Sequence, residues 1–187
     1  NKEDVLKLLI NKNAKLDIID TDGKSLLFIP IKYNYINILK ILIDANNSYI
    51  GNSILNIKDY NGLTPLHYSI TLSNIESINL ILNSNCNINL KDKNGNNPLH
   101  YSILKNNYKI FKILIDKNIN INSRNIYGET PLHIACNYQR NKFIKDILEK
   151  KANINITDYD NNLTPLMYSI TLRNDYISNL LINYNSN

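Results

Sequence analysis

The chain has 187 residues and a net charge of +5, with 43% hydrophobic and 20% charged residues. That composition is globular rather than disordered, and so modest a charge permits an acidic partner without demanding nucleic acid. No apolar run nears the ~20 residues that cross a bilayer, and no charged-apolar-small leader pattern opens the chain. Cys86 and Cys136 are too few for a disulfide framework and lack Cys-x-x-Cys spacing. They read as reduced core thiols of an intracellular protein. About one residue in five is Asn, so chance accounts for an Asn-x-Ser/Thr triplet such as Asn155-Ile156-Thr157. Heavy Asn, Ile, Lys and Tyr usage points to an AT-rich genome.

Residues 1–19 read as a second helix and loop that begin in mid-pattern, as an excerpt of a longer chain would. DTDGKSLLFI at 20–29 then opens a worn unit, with Pro30 inside its first helix and an insert expected within NNSYIGNSI at 46–54. A proline there predicts a bent or shortened helix. NGLTPLHYSI at 61–70 returns as NGNNPLHYSI at 94–103 and YGETPLHIAC at 127–136. The histidines of these copies, His67, His100 and His133, are spaced by 33 residues. LTPLMYSITLRN at 163–174 places Met167 34 residues further on, because an extra residue sits among Asp160, Asn161 and Asn162. Scarce residues share this register: Gly23, Gly62, Gly95 and Gly128 hold one place, and Pro65, Pro98, Pro131 and Pro165 another.

Each unit therefore reads as turn, helix, tight turn, helix and extended loop. Glycine supplies a turn geometry that side chains resist. Thr64, Thr130 and Thr164 are natural N-caps, each followed by a proline at the first helical position. A first helix is predicted over roughly 65–73. Second helices follow from Ile75, Ile78, Ile81 and Leu82, and from Ile110, Phe111, Leu114 and Ile115. Asn85 and Asn118 suit left-handed C-caps. One such pair cannot bury its own apolar face, whereas stacked pairs can.

The pattern D-x-x-G-x-T-P-L-H, followed by two helices and a loop, resembles the ankyrin repeat family over nearly the whole chain. The resemblance implies an all-α ankyrin-repeat solenoid of stacked helix-turn-helix units with extended hairpin-like loops. As one domain, 1–187, it would comprise a partial repeat 1–19 and a degenerate repeat 20–58. Repeats 59–91, 92–124 and 125–157 follow, with a capping repeat at 158–187.

Three regularly spaced histidines also suggest metal ligands or acid-base groups. Stacked helices lie about 8–10 Å apart, while a ligating histidine must approach its metal to about 2 Å, so histidines one repeat apart cannot share an ion. No carboxylate recurs to orient them, and no phosphate loop or nucleophile elbow is present. No catalytic residue, metal or cofactor is therefore assigned. The resemblance instead implies histidines that hydrogen-bond adjacent turns. Met167 then fills its place in a unit with no successor to tie down.

The resemblance places partner binding on the concave side, at the turn tips and the exposed side of the first helices. The matching residues are Lys58, Tyr60, Asn61, Leu63 and Leu72, then Lys91, Lys93, Asn94, Asn96 and Lys105. Arg124, Ile126, Tyr127, Glu129, Tyr138 and Tyr159 complete the set. Tyr60, Tyr127 and Tyr159 are read as equivalent tip anchors, and the lysines as a basic surface facing acidic groups beside an apolar or aromatic patch. The opposing reading has the tyrosines packing on neighbouring loops and the lysines solubilising the chain. Both stand at this point. Tyr68, Tyr101 and Tyr168 are assigned to the core, their hydroxyls near water.

The function implied is a non-catalytic protein–protein interaction module, monomeric, with end-to-end contact at the incomplete N-terminal repeat, where Val5 and Leu8 are expected to be exposed. The alternative is a regulatory or substrate-docking segment of a larger enzyme. Nucleic-acid binding through a basic concave face ranks last, for want of an RNA-binding motif. No membrane contact is assigned. AT-rich coding and worn repeats resemble ankyrin proteins of intracellular parasites, intracellular bacteria and large DNA viruses. An intracellular site of action, in the cytoplasm of a host cell, and a host-protein partner follow as expectations.

Overall fold

The computed structural model describes residues 2–48 and 54–185. Contacts divide the chain into two compact units, Asn1–Lys93 and Asn94–Asn187, and each is described by itself. Every named element among the described residues is helical, and the one bridge, Ile19 to Ser25, is isolated.

Unit 1 contains α1 (Lys2–Asn11), α2 (Phe28–Lys32), α3 (Ile36–Ser48), α4 (Pro65–Thr71) and α5 (Ile75–Leu82). Helix α2 packs on α4, α3 on α5, and α1 on α3. Pro30 holds α2 to five residues, against seven in α4, which is the shortening its sequence predicts. Most of the insert expected at 46–54 lies outside the described residues. Its flanks are α3, which runs 13 residues, and a 3-10 turn at Ile54–Asn56. Leu27, Ile31, Leu39, Ile70 and Ile78 form the core, with the Phe28 and Tyr68 rings 5.0 Å apart. Helix α1 buries no residue, and Val5 and Leu8 are exposed, as expected.

Unit 2 contains α6 (Pro98–Leu104), α7 (Tyr108–Ile115), α8 (Pro131–Asn137), α9 (Asn141–Glu149), α10 (Pro165–Thr171) and α11 (Asp175–Asn185). The first helices stack α6 on α8 on α10, and the second helices α7 on α9. Phe111 and Phe143 meet edge to face at 4.8 Å between α7 and α9. Burying each such side chain stabilises by about 1.5–3 kcal/mol. Cys136 is fully buried, and burial pushes its thiol pKa up to about 12, so it is an unreactive core group.

The same N-terminal device starts each full first helix. Thr64, Asn97, Thr130 and Thr164 lie in extended backbone, and their side-chain oxygens accept the N–H of His67, His100, His133 and Met167. At the first three, the histidine Nδ1 reciprocally accepts the backbone N–H of the cap residue, closing a capping box. Asn97 takes the place of threonine as a cap the sequence reading had not assigned. The first helices end at Thr71, Leu104, Asn137 and Thr171, slightly earlier than predicted.

The tight turn between helices holds a further regularity. Asn34, Ser73, Asn106, Gln139 and Arg173 all have φ between 52° and 55°, a left-handed geometry that side chains tolerate poorly. Composition hid this position, because no glycine occupies it. Asn118 adopts the left-handed conformation expected after a second helix, whereas Asn85 does not.

Candidate functional site

The candidate surface is built from the turns that precede the first helices. Each turn closes on an acidic or amide side chain. Asp59 Oδ1 accepts the N–H groups of Asn61 and Leu63, both at 2.8 Å. Asn125 Oδ1 does the same for Tyr127 and Glu129, and Asp158 Oδ1 for Asn161 and Leu163. Asp158 shows the resulting electrostatics: burial raises its carboxyl pKa, but those two N–H groups and the Tyr168 hydroxyl outweigh it and hold the value low.

Successive turns are joined backbone to backbone. In unit 1, Tyr60 N–H donates to Asp22 O at 2.9 Å and Lys93 N–H to Asn61 O at 3.0 Å. In unit 2, Ile126 N–H donates to Asn94 O at 2.9 Å and Tyr159 N–H to Tyr127 O at 2.8 Å. This ladder explains the glycines. Gly62 has φ +80°, and a Cβ there would lie 2.5 Å from Lys93 N; at Gly128, with φ +79°, it would lie 2.6 Å from Tyr159 N. The last turn lacks glycine, and Asn162 at φ 55° takes over the positive-φ role after the extra residue.

Histidine ties α6 and α8 each to the following turn. In unit 2 the His100 Nε2–H donates to Glu129 O at 3.3 Å and the His133 Nε2–H to Leu163 O at 3.1 Å. At His133, where the Thr130 hydroxyl lies 2.8 Å from Nδ1 and can donate to it, these partners select the Nε2–H tautomer. Burial lowers the His133 pKa, opposed by the Leu163 carbonyl and by Asp158. Among the described residues no group of three His, Cys, Asp or Glu side chains could hold a metal ion.

The structure separates the sequence-assigned contact residues into classes. Lys58, Tyr60, Asn61, Lys91 and Lys93 are exposed at the turns of unit 1, with Leu63 half-buried. Asn94, Ile126, Tyr127 and Tyr159 are exposed at the turns of unit 2. Leu72, Lys105 and Tyr138 are exposed at the C-caps of α4, α6 and α8. Seven helical residues at 1.5 Å each set them about 10 Å beyond the turns.

Three assignments change. Asn96 is buried and its Oδ1 lies 3.4 Å from Asn125 Nδ2, so it supports the neighbouring turn instead of presenting a contact. Arg124 and Glu129 are half-buried and engaged internally. Arg124 donates to the carbonyls of Gly128 and Thr157, while Glu129 accepts from Asn125 at 2.9 Å. The three tip tyrosines are also not equivalent: in the ladder Tyr60 and Tyr159 occupy the donor place, and Tyr127 occupies the acceptor place one residue later.

Both readings of the tyrosines meet in this geometry. Tyr60 has its ring against Gly23 of the preceding turn, and Tyr159 stacks on Arg124 with the guanidinium 4.1 Å from the ring centre. Each nevertheless leaves more than half its surface exposed. Lys24, in the first turn of unit 1, is paired with Asp22 at 2.7 Å. The Tyr168 hydroxyl ends on Asp158 at 2.9 Å rather than in open water, and burial followed by that bond pushes its pKa up.

A family model described as ankyrin repeats (3 copies) matches residues 1–92, 48–125, 74–158 and 123–187. The chain belongs to the ankyrin repeat family. Its fold is accordingly an all-α repeat solenoid, a class that generally mediates protein–protein interaction. An ankyrin repeat protein of Acanthamoeba polyphaga mimivirus is 40% identical over 87 residues, covering 46% of this chain and 11% of that relative. This ankyrin chain thus matches about a tenth of the relative's length. No described helix is long and apolar enough to cross a membrane.

Proposed function

We propose that the chain is a non-catalytic binding module that holds a partner protein against its turn tips. The observation carrying this reading is the contrast within each turn. The backbone groups and the Asp or Asn side chain are consumed by the turn and its ladder, while Tyr60, Ile126, Tyr127 and Tyr159 stand exposed on it. Rigid aromatic groups with one face supported and the other bare contribute strongly at interfaces. In unit 1 they are joined by the exposed Lys58, Lys91 and Lys93, which favour a partner with acidic groups beside an apolar or aromatic patch.

The partner we propose is a host-cell protein met in the host cytoplasm. The kinship with a viral ankyrin protein supports this. The small share of that relative covered also fits a docking array within a longer chain. The test is affinity capture from host-cell lysate with the native chain, with Tyr60→Ala/Lys93→Ala and with Tyr127→Ala/Tyr159→Ala. Captured partners should fall about tenfold or more in both variants, with little change in melting temperature. Capture indifferent to all four substitutions removes the turn tips from the interface.

A further inference from the structure

We propose that Asn94 is a site of spontaneous covalent modification, at which the Gly95 backbone nitrogen closes on the Asn94 side chain, expels ammonia and leaves an aspartyl or isoaspartyl residue. This chemistry stands whether or not the turn tips bind a partner.

The chain places one dipeptide in the same turn twice, as Asn61-Gly62 and Asn94-Gly95. Both glycines have positive φ, +80° and +75°, and both asparagines are exposed. Each asparagine carbonyl serves the ladder, accepting Lys93 N–H at 3.0 Å and Ile126 N–H at 2.9 Å respectively. Asparagine is thermolabile, most of all before glycine, where no Cβ shields the attacking nitrogen. The ladder makes that glycine obligatory: a Cβ at Gly95 would lie 2.7 Å from Ile126 N.

The two turns differ at the attacking atom. Gly62 is buried, and its N–H donates to Asp59 O at 2.8 Å. That bond must break before the nitrogen can lose its proton. Gly95 is half-buried, and among the described residues its N–H has no hydrogen-bond acceptor. No hydrogen bond among the described residues holds the Asn94 side chain either. Asn97, three residues on, has its side chain fixed on Asn120 O at 3.1 Å.

The reaction needs only water and hydroxide. Hydroxide takes the Gly95 N–H proton, the nitrogen bonds to Asn94 Cγ, and the Cγ–Nδ2 bond breaks to release ammonia, protonated by water. Water then opens the succinimide ring. Opening at Cγ restores the main chain with an aspartate side chain. Opening at the main-chain carbonyl routes the chain through Cγ, and the carbonyl that accepted Ile126 N–H becomes a free carboxylate.

The test is to hold the full chain at neutral pH and body temperature, then map its peptides by mass spectrometry. Digestion in H₂¹⁸O labels any conversion during work-up. Asn94 should convert about fivefold faster than Asn61 in the folded chain, the factor one hydrogen bond supplies, and part of the product should be isoaspartyl. In denaturant the two should convert at similar rates. Conversion should accelerate as pH rises, because ring closure needs the deprotonated nitrogen. Asn94→Gln, whose longer side chain closes a ring poorly, should abolish conversion there and leave Asn61 at its native rate. Conversion of Asn94 no faster than Asn61 in the folded chain overturns the proposal. So does an unchanged ratio in denaturant, or a rate indifferent to pH.

Discussion

Two successive repeats of unit 2, α8–α9 and α10–α11, follow one pattern yet differ in what is covered. His133 and Cys136 are 0% exposed and Leu148 is 2%, whereas their counterparts Met167, Ile170 and Ile182 are 45%, 58% and 49% exposed. Helix α10 packs on α8. A given letter of the repeat is thus core or surface according to its neighbour, as expected where stability is a sum of adjoining interfaces. The turns differ in parallel. Gly128 sits under the backbone of the next turn, while Asn162 carries a side chain at positive φ.

The strongest way to break this comparison is at the glycine. Gly128→Val meets both a left-handed backbone and a Tyr159 amide in the way, and should cost about 3–4 kcal/mol. Asn162→Val lacks the second obstacle and should cost about half as much. Denaturant unfolding of both variants measures the difference, and equal losses would mean that the ladder does not constrain Gly128.

Next in size is the histidine. His133→Ala removes the bond to Leu163 O and opens the capping box, for an expected loss of about 1–3 kcal/mol. Met167→Ala, at an exposed site, should lose under about 0.5 kcal/mol. Acid sharpens the contrast. Burial depresses the His133 pKa below its ordinary 6.5, so the unfolded chain takes the proton first as pH falls. Stability from this group is complete above about pH 6.5 and is lost as pH drops through the lowered folded-state value. An NMR titration should find the His133 ring changing protonation below the ordinary histidine range, and a normal or raised titration would contradict the burial argument.

A gain in place of a loss extends the comparison to unit 1. Ser77 on α5 occupies the place of Phe143 on α9 and Ile177 on α11. Its hydroxyl is buried without a partner. Ser77→Ala should therefore stabilise by about 1 kcal/mol, read as a rise in melting temperature. A fall would show that the hydroxyl is satisfied in solution.

The scaffold was legible because its scarce residues are tied to backbone geometry. Glycine marks the close turn, Thr-Pro the helix start, and histidine the link to the next turn. The left-handed hairpin position was not legible: Ser73, Gln139 and Arg173 share a conformation but no chemistry. At the candidate surface, register alone pointed to Tyr60 and Tyr159, while placing Tyr127 beside them ignored the ladder's one-residue offset. The interior roles of Asn96, Arg124 and Glu129 depend on contacts with neighbouring repeats, which a position within one repeat does not reveal.

The extra residue near Asp160 leaves the Tyr159–Tyr127 bond at 2.8 Å, and the Asp158–Leu163 pairing closes at 2.9 Å around it. Added length there falls on exposed residues and leaves both of these bonds in place. An engineer seeking to graft a foreign epitope or reporter onto this protein has a tolerant address at 160–161, chosen by the chain itself.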